Sequence, residues 1–295
     1  YYAYVGKCMP PSLSGKNSPF VEIITSTGTN TWMWTQPSVE GAMNAVVQLP
    51  NGGDILVAGW KKEGNIGKRY LVRLNPITQT VQWEATNFGD NSDTSNGAWE
   101  MIDISADGMS IILSGVREIP ALTNGNGEST MAFKSYGNVG GGRAVVMQIP
   151  ITSLSSAPTD TSATWTKTYT EASYTTAKAA RPIGNTDQIA VLLWGETTDA
   201  NSAMLDKLSV SDGTSLLGTP STFGLAHGEG TDMAVSADGT SIYITGHGSS
   251  PVTIPNGNNM ELYGKITKVR VSDYVQQFTK GYVTYVSSVK KISRI

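Results

Sequence analysis

The sequence predicts an all-β fold, a β-propeller built from four-stranded blades. Short apolar strands that end at a glycine recur along the chain, each followed by a polar loop and two more strands. A closing aromatic residue ends every unit but the fourth, where Leu217 takes its place. Repeats of about 40 to 60 residues with four strands each are typical of propellers. Only 15% of the 295 residues are charged and 32 are glycine, as expected of a turn-rich β protein.

The clearest repeat begins at Gly41 and comprises AMNAVVQL, DILVAGW, YLVRL and TVQWE. Asn51-Gly52 separates its first two strands and fits a tight hairpin, because both residues tolerate a positive φ. The preceding segments, YYAYVG, FVEII and TWMW, follow the second, third and fourth strands of this plan. The first strand of that earlier unit is therefore expected from elsewhere.

Three further units follow. The third has the strands WEMIDIS, SIILSGV, AVVMQI and ATWTKTY, with a long loop from Arg117 to Gly142. Loops of that length are commonly functional or mobile. The fourth is more degenerate, with TTAKAARPI, QIAVLLWG, AMLDKLSV and SLLG. The fifth has DMAVS, SIYITGH, LYGKITKV and VQQFTK, after which Val283 to Ile292 supplies one more strand.

The blade plan resembles the bacterial-type β-propeller repeats known as SBBP-like. The resemblance lies in ADGTSIYITG with LYGKITKVRVSDYVQQF, in GGDILVAG with YLVRLNPITQTVQW, and in FVEIITSTGTNTWMW. It covers nearly the whole chain and implies a propeller fold. Since such propellers are mostly associated with secreted or surface proteins of uncertain role, the resemblance also implies an extracellular or cell-surface location but no particular activity.

We expect residues 1–295 to form a single propeller of five blades, either alone or as a fragment of a longer chain. The sequence starts with a second strand and finishes with a possible first strand. If these N- and C-terminal strands pair, the ring closes and no strand edge stays exposed. The alternative is part of a six- to eight-bladed ring.

Charge and composition exclude several classes of partner and cofactor. A net charge of −3 provides no basic field for nucleic acid. No apolar run reaches the roughly 18 residues that a membrane span requires, so no membrane insertion is expected. The single cysteine, Cys8, excludes an internal disulfide. The oxygen-rich stretch from Asp90 to Asn96 lacks the glycine and acidic positions of an EF-hand. We therefore predict no metal and no cofactor.

The first strands of the blades are expected to line the central channel. Counting back from the aligned Ile55, Ile111, Ile189 and Ile242 places one residue of each first strand at the same level. These residues are Asn44, Glu100, Lys178 and Thr231, the last beside Asp232. This ring of mixed polarity is the candidate binding site for a small polar ligand, although a water-filled channel explains it equally well.

The favoured function is a non-enzymatic structural or protein-interaction module that binds a protein partner or assembles with itself. No catalytic residue is predicted, because neither histidine lies in a known nucleophile motif. One alternative is a carbohydrate-binding propeller in which exposed Trp60 or Trp194 stacks on glycans, with packing between blades as the competing explanation. The other is a glycosidase-like hydrolase that uses the channel carboxylates Glu100, Asp103 and Asp232.

Overall fold

The computed structural model describes residues 2–13, 15–50, 53–88, 96–119, 122–123, 129–130, 142–170, 176–196, 201–222, 228–250 and 261–282. Apart from two short 3-10 helices at Pro11–Leu13 and Ile151–Ser155, the regular structure in these ranges is all β. No helix in them is long and apolar enough to cross a membrane. The strands of the first half are β1 (Tyr2–Cys8), β2 (Ser18–Ile24), β3 (Asn30–Thr35), β4 (Gly41–Gln48), β5 (Ile55–Glu63), β6 (Ile66–Asn75), β7 (Thr80–Thr86), β8 (Asn96–Ile104), β9 (Ser110–Ile119), β10 (Leu122–Thr123) and β11 (Ser129–Thr130). Those of the second half are β12 (Arg143–Pro150), β13 (Trp165–Thr168), β14 (Thr176–Pro182), β15 (Gln188–Glu196), β16 (Asn201–Ser209), β17 (Ser221–Thr222), β18 (Gly228–Val235), β19 (Ser241–Ser250), β20 (Glu261–Arg270) and β21 (Gln276–Tyr282).

Apart from the separate antiparallel pair β10-β11, the strands form five antiparallel groups in chain order, which we call sheets 1 to 5. Sheet 1 is β1-β2-β3, sheet 2 is β4-β5-β6-β7, and sheet 3 is β8-β9-β12-β13. Sheet 4 is β14-β15-β16 with the short β17, and sheet 5 is β18-β19-β20-β21. Sheets 4 and 5 are joined by one parallel contact, between Ser202 and Gly228. Each sheet corresponds to one predicted repeat.

The sheets pack on one another in sequence through their first strands. β4 contacts β8, β8 contacts β14, and β14 contacts β18. The second and third strands of each sheet also pack on the first strand of the next, as β5 and β6 do on β8. Because β1 and β2 pack on β4 in the same way, β1 holds the place of a second strand, as the sequence predicts. Repeated four-stranded sheets that stack through their faces around inner strands are the architecture of a β-propeller.

The hydrophobic core lies between the sheets. Side chains alternate across a strand, so Val57 of β5 packs towards sheet 1 and Leu56 packs towards sheet 3. Because both faces of a second strand are buried in this way, the sequences of the second strands are nearly continuous apolar runs. The closing aromatics of sheets 1 to 3 lie in these gaps as predicted, since Trp34, Trp83 and Trp165 are all buried. The prediction is wrong for sheet 5, where Phe278 is 42% exposed.

A β-bulge interrupts the first strand of sheets 2 to 5, and it explains the recurring glycines. A Cβ on Gly59 would lie 2.1 Å from the carbonyl oxygen of Ala42, and a Cβ on Gly115 would lie 2.1 Å from that of Ala98. The prediction that these glycines end the second strands is wrong, since β5 continues to Glu63 and β9 to Ile119. Because glycine has no side chain, the bulged first strand can instead approach the backbone of the second strand closely.

Sheet 4 departs from the repeat in two places. Leu193, rather than Gly195, faces its bulge. The predicted closing strand SLLG is not a regular strand: Ser215 makes a single bridge to Leu208, and the short β17 pairs with β16 further along. Three segments singled out in the sequence lie largely or wholly outside the described residues: the calcium-like stretch 90–96 except Asn96, most of the 117–142 loop, and the terminal strand 283–292.

Candidate functional site

Asn44, Glu100, Lys178 and Thr231 share one structural position, the unpaired residue of the bulge in β4, β8, β14 and β18. Their common level on the first strands is therefore as the sequence predicts. A bulge turns a side chain away from its regular direction and increases the local twist. The four polar side chains thus depart from the core-facing alternation of their strands.

These bulge residues bind to neighbouring strands. The Asn44 amide donates to the carbonyl oxygen of Trp99 at 2.8 Å, which ties β4 to β8. Lys178 Nζ lies 4.0 Å from Glu100 Oε1 and so pairs β14 with β8. The Thr231 hydroxyl donates to the carbonyl oxygen of Thr245 at 3.2 Å. The contacts join one sheet to the next, apart from that of Thr231, which lies within sheet 5.

A second polar layer lies nearer the hairpin turns and is centred on Arg181 of β14. Its Nη1 donates to Asp103 Oδ2 of β8 at 3.0 Å, and its Nη2 lies 3.5 Å from Asp232 Oδ1 of β18. Its Nε donates to the carbonyl oxygen of Met233 at 3.2 Å. One guanidinium group therefore joins sheets 3, 4 and 5.

Backbone amides hold both carboxylates of this layer in place. The amide of Ile104 donates to Asp103 Oδ1 at 2.9 Å, and the amide of Met233 donates to Asp232 Oδ1 at 2.8 Å. The Asp232 side chain is only 3% exposed. Asp103 thus accepts from its own strand through Oδ1 and from Arg181 through Oδ2, a charge-assisted hydrogen bond. In Asp232 the same oxygen, Oδ1, accepts the Met233 amide and forms the ion pair with Arg181.

Sequence reasoning proposed Asp232 and Asp103 but missed Arg181. A usable signal was present, because Arg181 follows Lys178 by three residues and Asp103 follows Glu100 by three residues. Arg181 and Asp103 therefore lie at the same level of their first strands. The sequence aligned these levels correctly. Only the packing of three sheets shows that an arginine lies between the two aspartates.

A cavity of about 290 Å³ opens beside this layer, at the hairpin-turn end of the first strands. Asp103 and Arg181 contribute to its wall, and the hairpin turns of sheets 3, 4 and 5 complete it, through Ala106, Asn185 and Ala237 among others. This is the end opposite the loops that follow the second strands.

Trp60 and Trp194 are buried. Trp60 is 8% exposed and packs against Ala42, Ala98 and Val116, and Trp194 is 2% exposed. Stacking on a sugar requires an exposed ring face, which neither indole presents. Their placement agrees with the competing explanation, packing between blades.

Lys265 occupies a core position that sequence reasoning did not single out. It pairs with Gly246 as Tyr70 pairs with Gly59 and Val145 with Gly115, and those two residues are fully buried. Lys265 itself is 7% exposed, and burial lowers the pKa of its ammonium group. Sheet 5 therefore carries a basic side chain where sheet 2 carries an aromatic side chain and sheet 3 an apolar one.

Within the described residues, no group of three or more His, Cys, Asp or Glu side chains is placed to hold a metal ion. Of the calcium-like stretch, only Asn96 is described. Its Oδ1 accepts the backbone amide of Gly67 at 2.8 Å and so joins β8 to β6.

No protein-family model and no curated protein matches the chain, so the SBBP-like resemblance is not confirmed at the family level. Among solved structures, the chain is similar to hydrazine synthase of Kuenenia stuttgartiensis, with 12% identity and a TM-score of 0.52 over 90% of this chain and 63% of that one. It also matches quinohemoprotein alcohol dehydrogenase from Comamonas testosteroni, with 9% identity and a TM-score of 0.48 over 92% of this chain and 52% of that one. A third match is the β-propeller domain of the Trilobed protease from Pyrococcus furiosus, with 13% identity and a TM-score of 0.46 over 93% and 66%.

The chain thus spans 63% and 52% of the length of the first two of these proteins. At such identities a similarity concerns the fold alone. The β-propeller assignment therefore rests on the sheet packing described above.

Proposed function

We propose that this chain is a five-bladed β-propeller that acts as a non-enzymatic structural or protein-interaction module of an extracellular or cell-surface protein. The observation that carries the non-enzymatic part is the position of Arg181, which contacts both Asp103 and Asp232. A hydrolytic carboxyl pair needs one group to donate a proton to the substrate and the other to attack it or activate water. Here the guanidinium group occupies the space between the carboxylates.

The other channel groups support the same proposal. Glu100 faces Lys178, and Asn44 binds a backbone carbonyl oxygen. These contacts connect neighbouring sheets, which is a structural task. The low charge and the abundance of glycine suit a surface-exposed scaffold.

The five-blade closure is the second part of the proposal. β1 holds a second-strand position, and in the described part of the chain it pairs only with β2. Its outward face carries Tyr2 and Tyr4, which are 56% and 54% exposed. Residues 283–292 follow the outermost strand of sheet 5 and would supply the missing first strand of sheet 1.

Closure is tested by hydrogen exchange on the full chain and on a variant that ends at Tyr282. We expect the amides of β1 to be slow to exchange in the full chain and fast in the shortened one. Adding the peptide of residues 283–295 should restore the protection, and a scrambled peptide should not. Equal exchange in both chains would refute closure by this strand.

The structural role is tested on protein isolated from its source, by native mass spectrometry and electron microscopy. We expect the chain within an assembly, a surface layer or a complex with another protein. A free monomer that hydrolyses glycosides, with turnover abolished by both Glu100→Gln and Asp232→Asn, would overturn the proposal in favour of the hydrolase.

A further inference from the structure

The cavity at the hairpin-turn end of the channel has the features of a small-molecule site. Its volume of about 290 Å³ lies just below the roughly 300–1,000 Å³ usual for ligand pockets, which suits a ligand smaller than a drug-sized molecule. Three different sheets contribute to its wall. The cavity is therefore formed by the tertiary fold and not by one flexible loop.

Arg181 brings unused hydrogen-bond donors to this cavity. Its guanidinium group has five N–H donors. One meets the carbonyl oxygen of Met233, one meets Asp103, and one is directed to Asp232. Two donors remain without a protein partner in the described structure, and the side chain is 19% exposed. A ligand that fits here must offer acceptor oxygens.

Acceptors line the same cavity. The Asp103 carboxylate is part of the wall, and the exposed amide of Asn185 supplies both a donor and an acceptor. The Ser236 hydroxyl is already engaged, because it donates to Asp238 Oδ1 at 2.6 Å. A ligand must therefore donate hydrogen bonds as well as accept them.

The charges around the cavity disfavour anions. Asp103 and Asp232 outnumber Arg181, and the hairpin turns add Asp107 and Asp238. Hydrogen bonds from Ser236 and Thr240 lower the pKa of Asp238 to about 2, so this carboxylate stays ionised. A phosphate or sulfate would enter a negative field. A simple cation would instead meet the unused donors of Arg181.

We propose that this cavity binds one uncharged, monosaccharide-sized polyol. Neighbouring hydroxyl groups can each accept from an Arg181 N–H and donate to the Asp103 carboxylate, and no net charge has to be desolvated. This site is separate from the buried Trp60 and Trp194. It also goes beyond the structural role proposed above and does not depend on it.

The experiment is titration of the full chain with glucose, galactose, mannose and myo-inositol, followed by calorimetry and saturation-transfer NMR. Ala237→Trp fills the cavity from an exposed turn position. Thr240→Trp is the matched control, because Thr240 is exposed in the same turn but outside the cavity wall. Inorganic phosphate and putrescine serve as charged probes.

We expect at least one polyol to bind, with Kd raised tenfold or more by Ala237→Trp and changed less than twofold by Thr240→Trp. If Ala237→Trp lowers the melting temperature, Ala106→Trp with Met109→Trp as control gives the same comparison on the turn of sheet 3. Absence of polyol binding, binding insensitive to both cavity-filling variants, or tighter binding of phosphate or putrescine in their place would overturn the proposal.

Discussion

Replacing Arg181 with methionine tests whether this side chain holds three sheets together. The change keeps much of the side-chain volume but removes the group that contacts Asp103, Asp232 and the carbonyl oxygen of Met233. Two aspartates with little exposure, 11% and 3% for their side chains, then lose their shared cation. We therefore expect Arg181→Met to destabilise the fold.

The magnitude follows from the burial of the group. Removing one partner of a buried ion pair costs about 3–5 kcal/mol. Because the Arg181 side chain is 19% exposed, some water reaches it and the lower end, about 3 kcal/mol, applies. At about 2 °C per kcal/mol for a chain of this size, the melting temperature should fall by about 6 °C.

The assay is thermal unfolding followed by circular dichroism, together with urea unfolding. The matched control is Arg270→Met, because Arg270 pairs with Asp273 within one exposed turn. Exposed ion pairs contribute little to stability, so this control should have nearly the same melting temperature as the wild type. Equal melting temperatures for Arg181→Met and the wild type would refute the reasoning.

The remaining predictions concern three other positions. Gly59→Ala should cost about 1–3 kcal/mol or more in urea unfolding, because its Cβ would meet the carbonyl oxygen of Ala42, whereas Gly6→Ala has open space and should be neutral. Lys265→Met should raise the melting temperature at pH 7, because burial lowers the lysine pKa, and the gain should shrink above pH 10.5, where the lysine is neutral in both folded and unfolded chains. Asp238 has its pKa lowered from 3.8 to about 2, so it stabilises the fold above pH 3.8 and loses this effect as the pH falls towards 2. Asp238→Asn should therefore flatten the acid side of the stability profile, and an unchanged profile would contradict this.

The sequence was sufficient for the local plan of the fold. Alternation and turn residues located the strands, and the aligned isoleucines placed Asn44, Glu100 and Lys178 at one level. This worked because each repeat uses the same register within its own sheet, and pairing between neighbouring strands is a short-range property. The degenerate fourth unit is where the same reasoning failed, because SLLG has no closing aromatic and forms no regular strand.

The tertiary structure alone decided which polar groups meet. Arg181 and Asp103 are 78 positions apart and lie on different sheets, so no local pattern pairs them. The burial of Trp60 and Trp194 likewise depends on the neighbouring strands and sheets that cover them. Strand formation follows from nearby residues, whereas contacts between sheets depend on how distant segments pack, and the candidate site consists almost entirely of contacts of the second kind.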